Sequence, residues 1–205
     1  MDFRPLRAEE IDCRVSTINE KGLSLLLYKD ARCDMRILDE SGVQWQRKHY
    51  ECKGNLFCSV GIKIGDEWIW KDDCGTESYA EKEKGEASDS FKRACFNWGI
   101  GRELYTAPFI WITADKYNLS EKSVKPTTYD RFKCTYIRTE NGRIVALNIE
   151  NSKTRKTVFV YGNVLPNNVC AVCGKAVSDE IAEKSKAAND GVVYCSGTCV
   201  KAAKK

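Results

Sequence analysis

The stretch Glu86-Ala-Ser-Asp-Ser-Phe-Lys-Arg-Ala-Cys-Phe-Asn-Trp-Gly-Ile-Gly-Arg102 decides the fold. Ala87, Phe91, Ala94 and Trp98 recur at steps of four, three and four residues, the spacing of one helix stripe. Ser88 and Lys92 fall on a neighbouring stripe, with Asp89 and Arg93 beside it. One side of the predicted helix therefore packs and another presents adjacent cations. Gly99 and Gly101 end the pattern, as expected where the chain leaves a helix through positive φ. Asp89 and Arg93 also stand four residues apart, and such pairs commonly decorate a solvated helix face.

Working upstream, three strands are expected in quick succession: Trp45 to Tyr50, Asn55 to Ile64 and Glu67 to Lys71. Lys53-Gly54-Asn55 and Gly65-Asp66 are the turns between them, short enough to make antiparallel neighbours. Lys71-Asp-Asp-Cys-Gly-Thr76 and the charged run Glu81-Lys-Glu-Lys84 lead into the helix. The order is β-β-β-α, with the helix available to cover one sheet face. Further upstream, Ile11 to Ile18 suits a first strand and Asn19-Glu-Lys-Gly22 a turn. Leu23, Leu26, Leu27, Ala31, Met35 and Leu38 recur at helical steps, so a helix is expected over 23–38, closed by Ser41-Gly42.

Downstream, Phe109 to Ile112 reads as a short buried segment and Lys116 to Thr128 as an exposed loop. A second β unit follows: Phe132 to Ile137, the turn Glu140-Asn-Gly142, Ile144 to Ile149 and Thr157 to Tyr161. Asn141-Gly142 between alternating runs is a strong hairpin signal. Between Ser120 and Gly162 nine Lys or Arg face four Asp or Glu, a basic excess that suits a solvated hairpin or an anionic partner.

Composition bounds the rest. The chain's 205 residues allow one good core and a small appendage. Charged residues at 30% and hydrophobic residues at 42% are ordinary for a folded protein. A net charge of +4 permits an anionic partner without demanding one. No apolar run has membrane-spanning length, and Met1-Asp-Phe-Arg-Pro5 carries no apolar leader, so neither a membrane nor secretion is expected. The eleven cysteines are then expected in a reducing compartment, as free thiols or metal ligands. His49 is the only histidine, which leaves little material for a Ser-His-Asp hydrolase or a His-rich metal site.

Beyond Pro166-Asn-Asn168, a plausible linker, the composition changes. Cys170-Ala-Val-Cys173 and Cys195-Ser-Gly-Thr-Cys199, separated by 21 residues, read as four thiolate ligands of a structural Zn²⁺. Four protein ligands would close the tetrahedron and leave no position for catalytic water. So short a segment lacks core, and metal binding would supply the missing folding free energy. Lys201, Lys204 and Lys205 make a basic tail. Cysteines 13, 33, 52, 58, 74, 95 and 134 are scattered singly and read as small buried hydrophobes. The domains expected are 1–165 and 166–205.

Residues 23 to about 112 resemble the single-strand annealing proteins of the Rad52 superfamily, especially phage representatives. The matching words are Tyr28-Lys-Asp-Ala-Arg32 with Leu38-Asp-Glu40, Trp45-Gln-Arg-Lys48, Gly75-Thr-Glu-Ser78, Ala87-Ser-Asp-Ser-Phe-Lys-Arg-Ala94 and Trp98-Gly-Ile-Gly-Arg102. The resemblance implies an α+β fold with a β-β-β-α annealing core, to which this chain adds a β-hairpin unit and a zinc-binding segment. It implies a non-enzymatic protein that assembles as a ring or helix, binds single-stranded DNA and anneals complements without ATP, in the cytoplasm of a bacterial host if phage-encoded. Lys92 and Arg93 match the family's basic groove residues, and Arg32 matches an arginine at the start of the preceding helix. Where some relatives carry a third cation, this chain has Phe96.

Arg47, Lys48 and Arg102 are further candidate DNA contacts. Tyr50, Phe57, Trp68 and Trp70 could stack bases, or pack across the sheet. Two other classes compete. Asp72, Asp73 and Glu77 could hold a nuclease metal. Alternatively, the zinc ribbon could make the chain a nucleic-acid, replisome or single-strand-binding-protein adaptor without annealing; a single-strand-binding protein or an exonuclease is the expected protein partner.

Overall fold

The computed structural model describes residues 2–76, 82–120, 125–164, 170–173, 177 and 179–203. Glu77, Ser78, Glu81, the linker 166–168, Lys204 and Lys205 lie outside the described residues. The chain divides into two compact units, Met1–Gly162 and Asn163–Lys205. It is an α+β protein, with nine strands and four α-helices among the described residues. None of those helices is long and apolar enough to cross a membrane.

The centre of the first unit follows the β-β-β-α order. Helix α1 (Ala31–Glu40) precedes β3 (Trp45–Cys52), β4 (Asn55–Ile64) and β5 (Glu67–Cys74), which form an antiparallel sheet in the order β3-β4-β5. Helix α2 (Lys82–Asn97) then lies across one face of it. Alternation along β4 sends Cys58, Val60 and Ile62 to that face, where they are fully buried with Phe91, Ala94 and Cys95 of α2. Burying a side chain the size of Phe91 contributes about 1.5–3 kcal/mol. Trp98 completes the stripe, its indole N–H donating to Val60 O at 2.9 Å. Gly99 and Gly101 sit at φ +97° and +71°, as their place at the helix end requires.

The region expected as one helix over 23–38 is two elements. Residues Gly22–Tyr28 are strand β2, hairpin-paired with β1 (Asp12–Asn19) from Asp12↔Tyr28 to Asn19↔Gly22. The helix starts only at Asp30, whose carboxylate caps it by accepting from Cys33 N at 2.7 Å. Leucines at 23, 25, 26 and 27 satisfy both periods, and strand alternation wins because Leu23 and Leu25 are buried while Leu26 is exposed.

The second β unit joins this hairpin rather than standing apart. Strands β6 (Ile110–Thr113), β7 (Phe132–Glu140), β8 (Arg143–Asn151) and β9 (Lys156–Tyr161) complete a six-stranded sheet, β6-β2-β1-β7-β8-β9. Asn141 and Gly142, both at positive φ, turn β7 into β8. Phe109 to Ile112 was expected to be buried throughout; Ile110 and Ile112 are, but Phe109 is 77% exposed and stacks on Trp111. Of the expected exposed loop 116–128, residues 121–124 lie outside the described residues; Tyr117 is buried, and Asn118 N donates at 2.9 Å to Asp130, just beyond the loop. Both sheets share one core, running from Leu23 and Ile112 through Val60 and Phe91 to Ile149.

The N-terminus is strapped onto this core. Arg4 donates to both Glu10 oxygens at 2.8 Å and through Nε to Glu40 at 2.6 Å. The Arg4 guanidinium holds the Glu10 carboxyl down at about 2, against the cost of its burial.

The second unit is slight. Helices α3 (Asp179–Ala188) and α4 (Gly197–Ala203) accompany a core of Cys170, Val177 and Ala182, with Val193, Tyr194, Cys195 and Cys199 partly buried around it. Ala171 N donates to Val193 O at 2.8 Å, and Tyr194 N to Ser185 Oγ at 2.8 Å.

Candidate functional site

Packing of α2 decides where its cations go. Ser90, Phe91, Ala94 and Cys95 are buried, so Lys92 and Arg93 are left on the two flanks of the outward face, about 100° apart. Lys92 turns toward β1 and β2. Its ammonium lies 3.5 Å from Asp89, and it lines a groove of about 360 Å³ with Arg14, Leu26, Tyr28, Phe96 and Tyr105. Arg93 turns the other way, Nε donating to Asp73 of β5 at 3.2 Å. The expected Asp89–Arg93 pairing is thus replaced by Lys92–Asp89 and Arg93–Asp73, because β5 presents Asp73 on its helix-facing side. Asn97 and Lys71 tie the same edge, Asn97 donating to Asp72 O and Lys71 to Asn97 O, each at 2.8 Å.

The other candidate cations are dispersed around this helix. Arg47 and Lys48, adjacent on β3, take opposite faces of the sheet: Arg47 lies 4.8 Å from the Phe91 ring centroid, Lys48 4.6 Å from that of Trp70. Arg32 is exposed in the first turn of α1. Arg102 is engaged with the end of α2, donating to Phe96 O at 2.7 and 3.0 Å and to Asn97 O at 2.9 Å. It thereby satisfies carbonyls that a helix terminus leaves open.

The sheet face opposite α2 is aromatic. Tyr50 stacks on Phe57 at 5.5 Å, Trp68 lies 6.2 Å from Trp70, and Tyr50, Trp68 and Trp70 are each exposed by more than a third. The rings therefore both pair across strands and remain accessible.

Asp72 and Asp73 do not converge. Neighbours on a strand point to opposite faces: Asp72 accepts from the hydroxyls of Tyr50 and Ser59, Asp73 from Arg93. Glu77, the third proposed nuclease ligand, lies outside the described residues. His49 is occupied at Ala87 O, 3.2 Å away.

Two polar groove residues, Arg14 and Tyr105, carried no motif, and Lys29 stood within Tyr28-Lys-Asp-Ala-Arg32 with no role assigned to it. Arg14 is recognisable only once the β1–β2 register places it opposite Leu26. Lys29 is 1% exposed, ion-paired with the fully buried Asp34, and lies 4.1 Å from the Phe96 ring centroid. Burial pushes the Asp34 carboxyl up to about 6 even with Lys29 drawing it down, and Asp34 Oδ2 has no hydrogen-bond partner among the described residues.

Among the described residues, one group of three or more potential metal ligands converges: Cys170, Cys173, Cys195 and Cys199, with all Sγ atoms within 4.8 Å of one another. Cys173 and Cys195 sulfurs are 3.4 Å apart, those of Cys195 and Cys199 3.5 Å. All are free thiols. At Cys170 desolvation opposes ionisation, but the backbone N–H groups of Cys173, Cys195 and Val172 outweigh it and hold the thiol at about 6. Contact with Cys195 first, then Cys170, pushes Cys199 up to about 12. Such a cluster is the donor set of a soft or borderline cation. Of the scattered cysteines, Cys33, Cys58, Cys95 and Cys134 are buried as expected; Cys13 and Cys74 are half-buried, and Cys52 is exposed, as is most of β3.

Residues 31–123 match the sequence profile of the Rad52/22 family of double-strand break repair proteins. The span opens at the first residue of α1, takes in β3, β4, β5 and α2, and closes beyond β6. No curated protein and no solved structure matches the chain.

Proposed function

We propose that this chain, which carries a Rad52/22 family domain over residues 31–123, binds single-stranded DNA and anneals complementary strands in recombination and double-strand break repair. It does so without ATP, as a homo-oligomeric ring or helix. The observation that carries this reading is the cationic flank of α2, where Lys92 shares an aromatic-floored groove with Arg14 inside the β-β-β-α unit. An annealer must neutralise phosphates while leaving base edges open to a partner strand, and cations on a well-packed helix do this without reading sequence. Lys92 and Arg93 are the principal phosphate contacts in this reading, with Arg32 and Arg47 as further contacts on the α2 side and Lys48 as one on the opposite, aromatic face of the sheet. Arg102 serves by fixing the end of the helix.

Residues 1–165 would form the annealing domain and 166–205 a zinc-ribbon-like segment. Zn²⁺ is the cation in this reading: Zn–S bonds of about 2.3 Å in a tetrahedron set sulfurs about 3.8 Å apart, close to the spacing present. Its role is structural. Exposed Val172, Ile181 and Val192 on this segment favour a second reading, an adaptor surface for a single-strand-binding protein or an exonuclease.

A fluorescence annealing assay on complementary oligonucleotides, without ATP, tests the proposal. Acceleration over the spontaneous rate is expected, falling steeply with salt as released counterions require. No acceleration at any salt, with partner binding intact, would leave the adaptor reading.

A further inference from the structure

Exposed apolar side chains that sit singly need no explanation, but here several gather around cations. Tyr105 is 69% exposed and Leu26 46%, and both border the groove that Lys92 and Arg14 rim. The Phe96 and Tyr105 rings lie 4.8 Å apart with their planes inclined at 50°, which leaves an open aromatic corner. At about 360 Å³ the groove is at the lower end of the range for small-molecule sites, roughly 300–1,000 Å³.

The corner is held in place. Phe96 has the Lys29 ammonium against its ring, and Lys29 is anchored by Asp34 beneath. Gly101 makes room for this lysine, since a Cβ there would collide with Lys29 Cε and Cδ. Tyr105 belongs to a 3-10 turn, Arg102–Thr106, whose first residue clasps the end of α2. Both rings are thus positioned by contacts that no ligand has to create.

We propose that this groove is a nucleobase subsite: one base of the bound single strand stacks in the Phe96–Tyr105 corner while its phosphates meet Lys92 and Arg14. The inference rests on the single-strand reading above and deepens it, because it assigns the base as well as the phosphate. An aromatic ring between cations suits a nucleotide, whose flat apolar face and anionic ester lie side by side. The one acidic group on the lining, Asp89, is paired to Lys92. A protein side chain from a second copy is the rival occupant, and it would not call for the cations. A base held here is withdrawn from pairing, so each protomer would keep one nucleotide of its segment as an anchor.

The test compares an oligothymidylate with an abasic strand of equal length, binding to the full-length protein at several salt concentrations. Wild type should prefer the base-bearing strand by about 5- to 150-fold, the range for one aromatic stack. Tyr105→Ala should lose that preference and keep the salt slope, and Tyr105→Phe should retain both. Lys92→Ala should weaken both strands alike and reduce the slope by about one. If Tyr105→Ala keeps the wild-type preference, the subsite is refuted while single-strand binding stands. If Tyr105→Ala instead lowers the oligomer mass and leaves the preference unchanged, the corner packs on another copy and the proposal falls. If wild type binds neither strand, both readings fall together.

Discussion

The first unit encloses Leu23, Val60, Ile62, Phe91, Ile112 and Ile149 in one continuous core, whereas among the described residues of the second only Cys170, Val177 and Ala182 are buried. Conformational entropy opposes folding by about 1–2 kcal/mol per residue in both. Apolar burial can answer that in the first unit but not in the second, where four thiols converge instead. The difference separates two kinds of site. Cations on α2 stand on a framework that exists before any ligand arrives. The geometry of the cysteine segment is coupled to the cation it would hold.

The largest contrast between the two units should come from withdrawing the zinc proposed for the four cysteines. Structural zinc contributes about 10–16 kcal/mol in zinc-finger peptides. In that reading a strong chelator, or Cys170→Ser, should abolish amide-exchange protection in α3 and α4 and leave that of β2, β4 and α2 in place. Equal loss in both units would show that the first also depends on the cysteines.

Within the first unit, the buried Lys29–Asp34 pair offers the next largest effect. Asp34→Ala would strand the Lys29 ammonium against Phe96 and should cost about 3–5 kcal/mol, read as a shift of the denaturation midpoint. Replacing both members with apolar residues should recover most of it. A single-site cost below about 1 kcal/mol would mean that water reaches the pair.

The smallest effect is the pH dependence of the N-terminal strap. The Glu10 carboxyl is held at about 2 against an ordinary 4.5, so its contribution is complete above pH 4.5 and is lost as the pH falls toward 2. Because Arg4 remains partly open to solvent, the loss should be about 1–3 kcal/mol. Glu10→Gln should flatten that part of the stability–pH curve. An unchanged curve would remove the strap from the account.

The local signals were legible in the sequence. Helix α2, its glycine exit, three tightly turned strands, the Asn141-Gly142 hairpin and the paired cysteines each carry their information within a few residues. Strand β2 was not legible, because a run of leucines fits both periods and only pairing with β1 settles it. The six-stranded sheet was also hidden, since Asp12↔Lys133 and Leu23↔Ile112 join residues far apart in sequence. The same non-locality hid Arg14 and the partner of Arg93: one depends on the register of β1, the other on that of β5. Tyr105 gave no signal, since a lone tyrosine after a glycine turn has no period to declare it.

In the function proposed above, α2 carries the phosphate contacts of an annealing protein. The most direct measurement is the ATP-independent annealing rate of wild type against Lys92→Ala/Arg93→Ala, with circular dichroism confirming that both are folded. Both side chains lie on the outward flanks of the helix, so the fold should survive. Acceleration by wild type and a loss of about tenfold or more in the double variant are expected, consistent with removing two phosphate contacts. Undiminished annealing by a folded double variant would contradict that role of α2.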